Sequence, residues 1–151
     1  MRLDEQLCFA LYDASRLVAS AYQSALRGTG LTYTQFLVLL VLWEDEHVTM
    51  SALGARLHLD SGTLSPLVQR MERAGLLARH RDDVDGRRVT VRLTGAGRDL
   101  EPVVAEAHRC LAEGLPVPAE DLVRLRNLTQ QFAAAVREPA ALSPRAHRRP
   151  A

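Results

Sequence analysis

Apolar residues recur near the middle of the chain at Leu64, Leu67, Val68, Met71 and Ala74. That i, i+3, i+4, i+7 spacing predicts a helix over residues 60–77 with one buried face. The opposite face carries Ser61, Thr63, Ser65, Gln69, Arg70 and Arg73 with one acid, Glu72, and Gly75 follows at a helix-stop position. A shorter helix precedes it. Thr49 is its candidate N-cap, Leu53 and Leu57 turn inward, and His58-Leu59-Asp60 makes a tight turn. Pro66 leaves two starts open for the longer helix. A start at Asp60 or Ser61 forfeits a backbone bond to Gly62, whereas Thr63 as N-cap puts Pro66 at N3 at little cost.

After Gly75, LLARHRDDVDGRRVTVRLT alternates at Val89 and Val91. Asp85-Gly86 predicts a hairpin turn, with Arg87 and Arg88 at its tip. Two short helices, a tight turn and a basic hairpin make a winged helix-turn-helix over about residues 31–94. Ser61, Thr63, Ser65, Gln69 and Arg70 are then the candidate contacts in a DNA major groove, and Arg87 with Arg88 the candidate wing contacts.

The flanks read as helices. Leu3–Arg27 carries one apolar stripe and ends at Gly28 and Gly30. Thr32 or Thr34 starts the next helix, and Gln35–Glu46 runs apolar nearly all round through FLVLLVLW, as a central core helix does. Trp43 reads as core packing and Glu44-Asp45-Glu46 as a solvated end. Beyond Gly95-Ala96-Gly97, residues Arg98–Glu113 form a helix, which Gly114-Leu115-Pro116-Val117-Pro118 breaks. Ala119–Val136 is the last helix, with Leu122, Leu125, Leu128, Thr129 and Phe132 inward. The Pro- and Arg-rich residues 139–151 read as a disordered tail.

The expected fold is therefore mainly α with a small β wing, in one domain over residues 1–138. A minimal winged helix does not need the helices at about 3–28 and 96–138. Their apolar stripes point to a homodimer interface. A two-fold dimer sets two recognition helices one DNA turn apart on a palindrome.

With 151 residues and 47% hydrophobic content, the chain can bury a real core, and at 5% aromatic content that core must be aliphatic. The net charge of +1 says nothing about nucleic acid, but its distribution does. Residues 1–49 carry 3 Arg against 6 acids, residues 50–93 carry 8 against 5, and residues 94–151 carry 8 against 7. The positive excess falls on the proposed DNA-reading segment. Every basic residue is Arg. There is no apolar run long enough to cross a membrane, and Asp4 and Glu5 stand where a signal peptide is basic. The expected location is the cytoplasm, where Cys8 and Cys110 suit redox chemistry better than a structural disulfide. The histidines show no metal-ligand spacing, and no phosphate loop or Ser–His–Asp arrangement is visible, so no metal, cofactor or enzyme activity is expected.

The wing sequence Asp85-Gly86-Arg87, with Val89, Val91, Leu93-Thr94 and Gly97, resembles that of the MarR family of winged-helix repressors. QLCFALY (residues 6–12), GLTYTQ (residues 30–35) and LDSGTLSPL (residues 59–67) resemble the organic-hydroperoxide-sensing OhrR-type branch. The likeness is strong over about residues 3–100 and looser beyond. It implies a repressor with Cys8 as sensor, whose thiolate is oxidised by peroxide to a sulfenic acid that goes on to a disulfide. It implies Tyr22 and Tyr33 as the tyrosines beside that thiolate, Arg87 in the minor groove, and Cys110 as a possible resolving cysteine. A peroxide-detoxification gene would be the regulated target.

Cys8 and Tyr22 are fourteen residues apart on one predicted helix, or about 21 Å. They meet only if Tyr22 comes from a second subunit. Cys8 is expected about one turn inside the helix, opposed by Asp4 and Glu5, with no cation close in sequence unless Arg16 at i+8 reaches it, and with Phe9, Leu11 and Phe36 as apolar lining. Two other readings stand beside this one. In the first, a phenolic or other small ligand releases the repressor and Cys8 is structural. In the second, Cys8 is the catalytic thiol of a peroxidase.

Overall fold

The computed structural model describes residues 2–81 and 88–137. A single turn of 3-10 helix, Leu3–Glu5, precedes α1, Leu7–Ala25. Another, Arg27–Thr29, leads to α2, Tyr33–Glu44. Next come β1, His47–Thr49, α3, Met50–Leu57, and α4, Ser61–Arg73. β2, Leu77–Arg81, and β3, Val89–Leu93, lead into α5, Gly95–Gly114. The chain divides into two compact units, one ending at Gly114 and one beginning at Leu115.

In the first unit α2 is the centre. Thr32 caps it in a reciprocal box, its hydroxyl accepting from the Gln35 N–H while the Gln35 side chain accepts from the Thr32 N–H. Val38, Leu39 and Leu42 are fully buried, each contributing about 1.5–3 kcal/mol of transfer free energy. Leu53 of α3, Leu64, Val68 and Met71 of α4, Leu77 and Val91 of the sheet and Val104 of α5 complete the same core. Trp43 is half-buried and donates its indole N–H to the Gly97 carbonyl at 3.1 Å. The acidic end of α2 is exposed but paired, since Arg56 of α3 bonds Glu44 and reaches Asp45 at 2.6 Å.

α3 and α4 form the helix-turn-helix. Thr49 caps α3 by accepting from the Ala52 N–H, and His58 then turns the chain with φ 55°, in the left-handed region that His tolerates better than most residues. α4 starts at Ser61 with Asp60 as N-cap, not with Thr63. Pro66 therefore lies in its second turn, where it costs the bond to Gly62. α4 closes with two bonds, from the Leu76 N–H to the Met71 carbonyl and from the Gly75 N–H to the Glu72 carbonyl. Gly75 adopts φ 74° to allow them, the Schellman arrangement. Ala74 is the exposed C-cap and is not part of the buried stripe.

The sheet has three strands in the order β1-β3-β2, all antiparallel. Val48 faces Val91, and Leu77 faces Leu93, which places the apolar side chains on the core. β1 adds a strand to the expected hairpin. It has only three residues, too few to show alternation in sequence. The Asp85-Gly86 turn and Arg87 lie outside the described residues, as do residues 138–151, where the tail was expected.

The N-terminal helix is shorter than its stripe suggested. Arg2 engages Asp4 at 2.8 Å, Gln6 is extended, and its N–H bonds the Leu3 carbonyl, so the helix proper begins at Leu7. The other end stops at Ala25 because Arg27–Thr29 tightens into the turn before Gly30. α5 starts at Gly95, earlier than expected, because Thr94 accepts from the Gly97 N–H as a cap. In the second unit α6, Ala119–Arg137, carries Leu125, Leu128 and Phe132, which were expected inward and are exposed. A lone helix offers no second layer to cover such a stripe. Among the described residues no helix is long and apolar enough to cross a membrane.

Candidate functional site

Two sets of side chains carry the chemistry. The first is the outer face of α4. Leu64, Leu67, Val68 and Met71 pin the helix to the core, which leaves Ser61, Thr63, Ser65, Gln69, Arg70 and Arg73 exposed on the other side. Thr63 does a second job. Its N–H and its hydroxyl both donate to Asp60, at 2.9 and 3.0 Å, and these bonds hold the Asp60 carboxyl below its ordinary pKa. With its hydrogen so committed, the Thr63 hydroxyl presents an acceptor rather than a donor to its surroundings. Ser61, Ser65 and Arg88 line one groove of about 330 Å³ with Thr49 and Ser51 of the preceding helix region, so the turn, the recognition helix and the foot of the wing converge.

Glu72, the one acid on this helix face, is half-buried and paired within the fold. Its carboxylate accepts from the Arg79 guanidinium and from the Arg79 backbone N–H, and the guanidinium holds its pKa below the usual carboxylate value. A negative charge that repels phosphate is thereby neutralised from within the fold.

The second set surrounds α1. Cys8 is the second residue of the helix and not one turn inside it. Gln6 makes no side-chain cap, and the first intrahelical bond runs from the Ala10 N–H to the Gln6 carbonyl. The N–H groups of Leu7, Cys8 and Phe9 thus precede the ladder, at the positive end of the helix dipole. Cys8 is exposed and unpaired. Arg2 offsets the nearby Asp4, while Arg16, eight residues on from Cys8, lies over the Tyr12 ring at 5.6 Å.

Tyr22 lies at the other end of the same unbroken helix, and its ring stacks on Phe36 at 5.2 Å and packs against Tyr33 at 5.0 Å. Its hydroxyl is 2.6 Å from Nδ1 of His108 on α5. Burial, helped by Tyr33, pushes the Tyr22 pKa up, so its hydroxyl stays protonated. These residues line a cleft of about 440 Å³ closed by Leu37, Leu40, Trp43 and Val104, with Glu44 and Glu101 as its carboxylates. Phe36 is one wall, as expected of the apolar lining; Phe9 is exposed and Leu11 half-buried, and neither lines this cleft. Sequence reasoning missed His108, because its partner is eighty-six residues away and local spacing carries no trace of such a contact.

Cys110 sits one half-turn beyond His108 on α5 and is exposed and unpaired. Its Sγ donates to Glu106 at 3.5 Å, and that carboxylate pushes the thiol above its ordinary pKa. Arg109 is held between Glu106 and Glu113 at 2.6 and 2.8 Å.

Residues 29–88 match the model of the MarR family. The chain is 39% identical over 127 residues to the organic hydroperoxide resistance transcriptional regulator of Bacillus subtilis (strain 168), a match covering 84% of this chain and 86% of that one. It is 52% identical over 99 residues to the HTH-type transcriptional regulator TtmR of Methylorubrum extorquens (strain PA1), covering 66% of this chain but 51%, about half, of that protein. Reduced AbfR bound to DNA superimposes with a TM-score of 0.74 at 38% identity, over 89% of this chain and 94% of that one. Disulfide-formed AbfR gives 0.66 at 37% identity, over 88% and 93%.

Proposed function

The chain belongs to the MarR family of DNA-binding transcriptional regulators, and we propose that it is a cytoplasmic homodimeric repressor released from DNA when an organic hydroperoxide oxidises Cys8. The observation that carries this reading is the place of Cys8, an exposed thiol in the first turn of an uncapped helix. Anions are favoured there. The likeness to the hydroperoxide resistance regulator supports it.

The Cys8 thiolate attacks the distal peroxide oxygen. The O–O bond breaks, the alkoxide leaves and takes a proton as the alcohol, and the sulfur becomes a sulfenic acid. Attack by Cys110 on that sulfur forms a disulfide and releases water. The likeness to a protein solved in both a DNA-bound reduced form and a disulfide form supports such a cycle. Tyr22 and Tyr33 donate to the thiolate of a second copy of the chain, since one unbroken helix separates Cys8 from Tyr22 within each copy. The exposed Leu7, Leu17 and Val18 of α1, with the stripe on α6, supply the dimer interface that such sharing requires. On a palindromic operator, Ser61, Thr63, Ser65, Gln69 and Arg70 read the major groove, and Arg87 and Arg88 contact the minor groove.

A gel shift with the chain's own upstream DNA tests the proposal. Reduced protein binds, cumene hydroperoxide releases it, and Cys8→Ser stays bound. Binding by both proteins with the same peroxide response, or with none, sinks the sensing role. The cleft beside Tyr22 and His108 favours a second reading, in which a small phenolic ligand releases the repressor and Cys8 is structural. The peroxidase alternative falls, because this family consists of transcriptional regulators rather than enzymes.

A further inference from the structure

We propose that His108 is a positioning residue for the sensor: it decides whether the single hydrogen of the Tyr22 hydroxyl is free to stabilise the Cys8 thiolate of a second copy of the chain. The inference rests on the sensing role proposed for Cys8 and adds a residue that the family likeness did not assign.

A phenol has one hydrogen and can donate one strong bond at a time. At 2.6 Å, Tyr22 Oη and His108 Nδ1 share one hydrogen bond, and its direction depends on the imidazole. With Nδ1 bare, Tyr22 donates to His108, and only lone pairs face an incoming sulfur anion. Such an arrangement repels a thiolate. When Nδ1 carries a hydrogen, as it must in the imidazolium, His108 donates to Tyr22 Oη and the phenolic hydrogen turns free. Tyr22 then offers the charge-assisted bond that a thiolate needs.

The surroundings leave His108 as the variable partner. Tyr22 keeps its proton because burial and Tyr33 raise its pKa. The other titratable groups around the pair are Tyr33 and Glu44 from α2 and Glu101 from α5. Arg109, the next residue on α5, is occupied by Glu106 and Glu113. The two rings are held in place by stacking, Tyr22 against Phe36 and against His108 at a centroid distance of 5.9 Å, so the hydrogen can reorient without the side chains moving. His108 itself is exposed, so protons reach it from solvent.

The experiment measures the second-order rate of Cys8 oxidation by cumene hydroperoxide from pH 5.5 to 9 in the full-length Cys110→Ser protein, alone and with His108→Phe, His108→Gln, Tyr22→Phe and the Tyr22→Phe/His108→Phe pair. His108→Phe removes the acceptor and raises the rate at pH 8 by about fivefold to tenfold. The excess over the parent shrinks towards the acid end of the range, where an imidazolium would donate to Tyr22 Oη. His108→Gln keeps a polar partner that carries no charge, so its ratio to His108→Phe stays the same across the range. In the Tyr22→Phe background, His108→Phe changes nothing, because there is no phenolic hydrogen left to direct. Identical profiles for wild-type His108 and His108→Phe, or an equal effect of His108→Phe with and without Tyr22, overturn this inference alone. A Cys8 that does not react with peroxide at any pH overturns the sensing role and this inference together.

Discussion

Glu72 and Arg79 join the last turn of the recognition helix to the first strand of the wing, with Arg79 Nη2 donating to Glu72 Oε2 at 2.6 Å. Since the Arg79 N–H also bonds the same carboxylate, both the side chain and the backbone of the strand are held. The helix and the strand are therefore held as one surface.

This pair makes stability acid-sensitive. Arg79 holds the Glu72 carboxyl below its ordinary value of 4.5. A depressed folded pKa contributes stability that is complete above the unfolded pKa and is lost as pH falls through the folded one. Glu72→Gln should lower stability at pH 7 by about 0.5–1 kcal/mol, a solvent-screened value. It should also lose less between pH 6 and 3 than the parent. Urea midpoints across that range measure it; parallel curves for the two proteins contradict the assignment.

Gly97 admits no side chain. A Cβ there would stand 2.0 Å from the Leu76 carbonyl oxygen, which is backbone and cannot swing aside. Gly97→Ala is expected to cost about 3 kcal/mol, the upper end for overpacking. It should also weaken the Trp43 bond to the Gly97 carbonyl. Thermal unfolding followed by tryptophan fluorescence reads both effects, and an unchanged Tm rules out the close contact.

Gln69 and Arg70 face outward from a helix whose other face is buried, so truncating them should spare the fold and cost DNA affinity. Loss of one good base contact is worth about 1–3 kcal/mol and relaxes specificity at one position. Arg88→Ala, which removes a cation proposed for the minor groove, is expected to weaken binding and to reduce the salt slope by about one. Fluorescence anisotropy against KCl concentration reads both effects; an unchanged affinity and slope would remove Arg88 from the DNA contacts.

Cys110 should react slowly at neutral pH, because the Glu106 carboxylate favours its protonated form. In a Cys8→Ser protein, Glu106→Gln removes the negative charge beside the thiol, so alkylation by iodoacetamide should speed up at pH 8 and the inflection move to lower pH. An unmoved inflection means the contact at 3.5 Å has no electrostatic weight.

What could be read from the chain alone follows the range of the interactions. The α4 stripe at Leu64, Leu67, Val68 and Met71 and the stop at Gly75 are local patterns, and the structure matches them. The family likeness pointed to Tyr22 and Tyr33, and the structure brings these two rings together. Local reasoning failed where a contact crosses the fold. Nothing near His108 announces Tyr22, and Glu72 read as an ordinary surface acid because Arg79 lies on the following strand. It failed again at Gln6, where an apolar stripe continued through a break that an ion pair of Arg2 with Asp4 accompanies.

Thr94 leaves almost no slack between two helices. Its hydroxyl donates to the Gly75 carbonyl at 2.6 Å and receives the Gly97 N–H at 3.2 Å, while its own N–H reaches the Leu76 carbonyl at 3.2 Å. The first turn of α5 is thus bolted to the peptides that end α4. Cys110 lies thirteen residues beyond Gly97 on that helix, about 20 Å along its axis. With Thr94 as the fixed point, a tilt of about 10° would carry the thiol end about 3.5 Å. On the other side of the same join lies α4, so a tilt of α5 cannot leave that helix untouched.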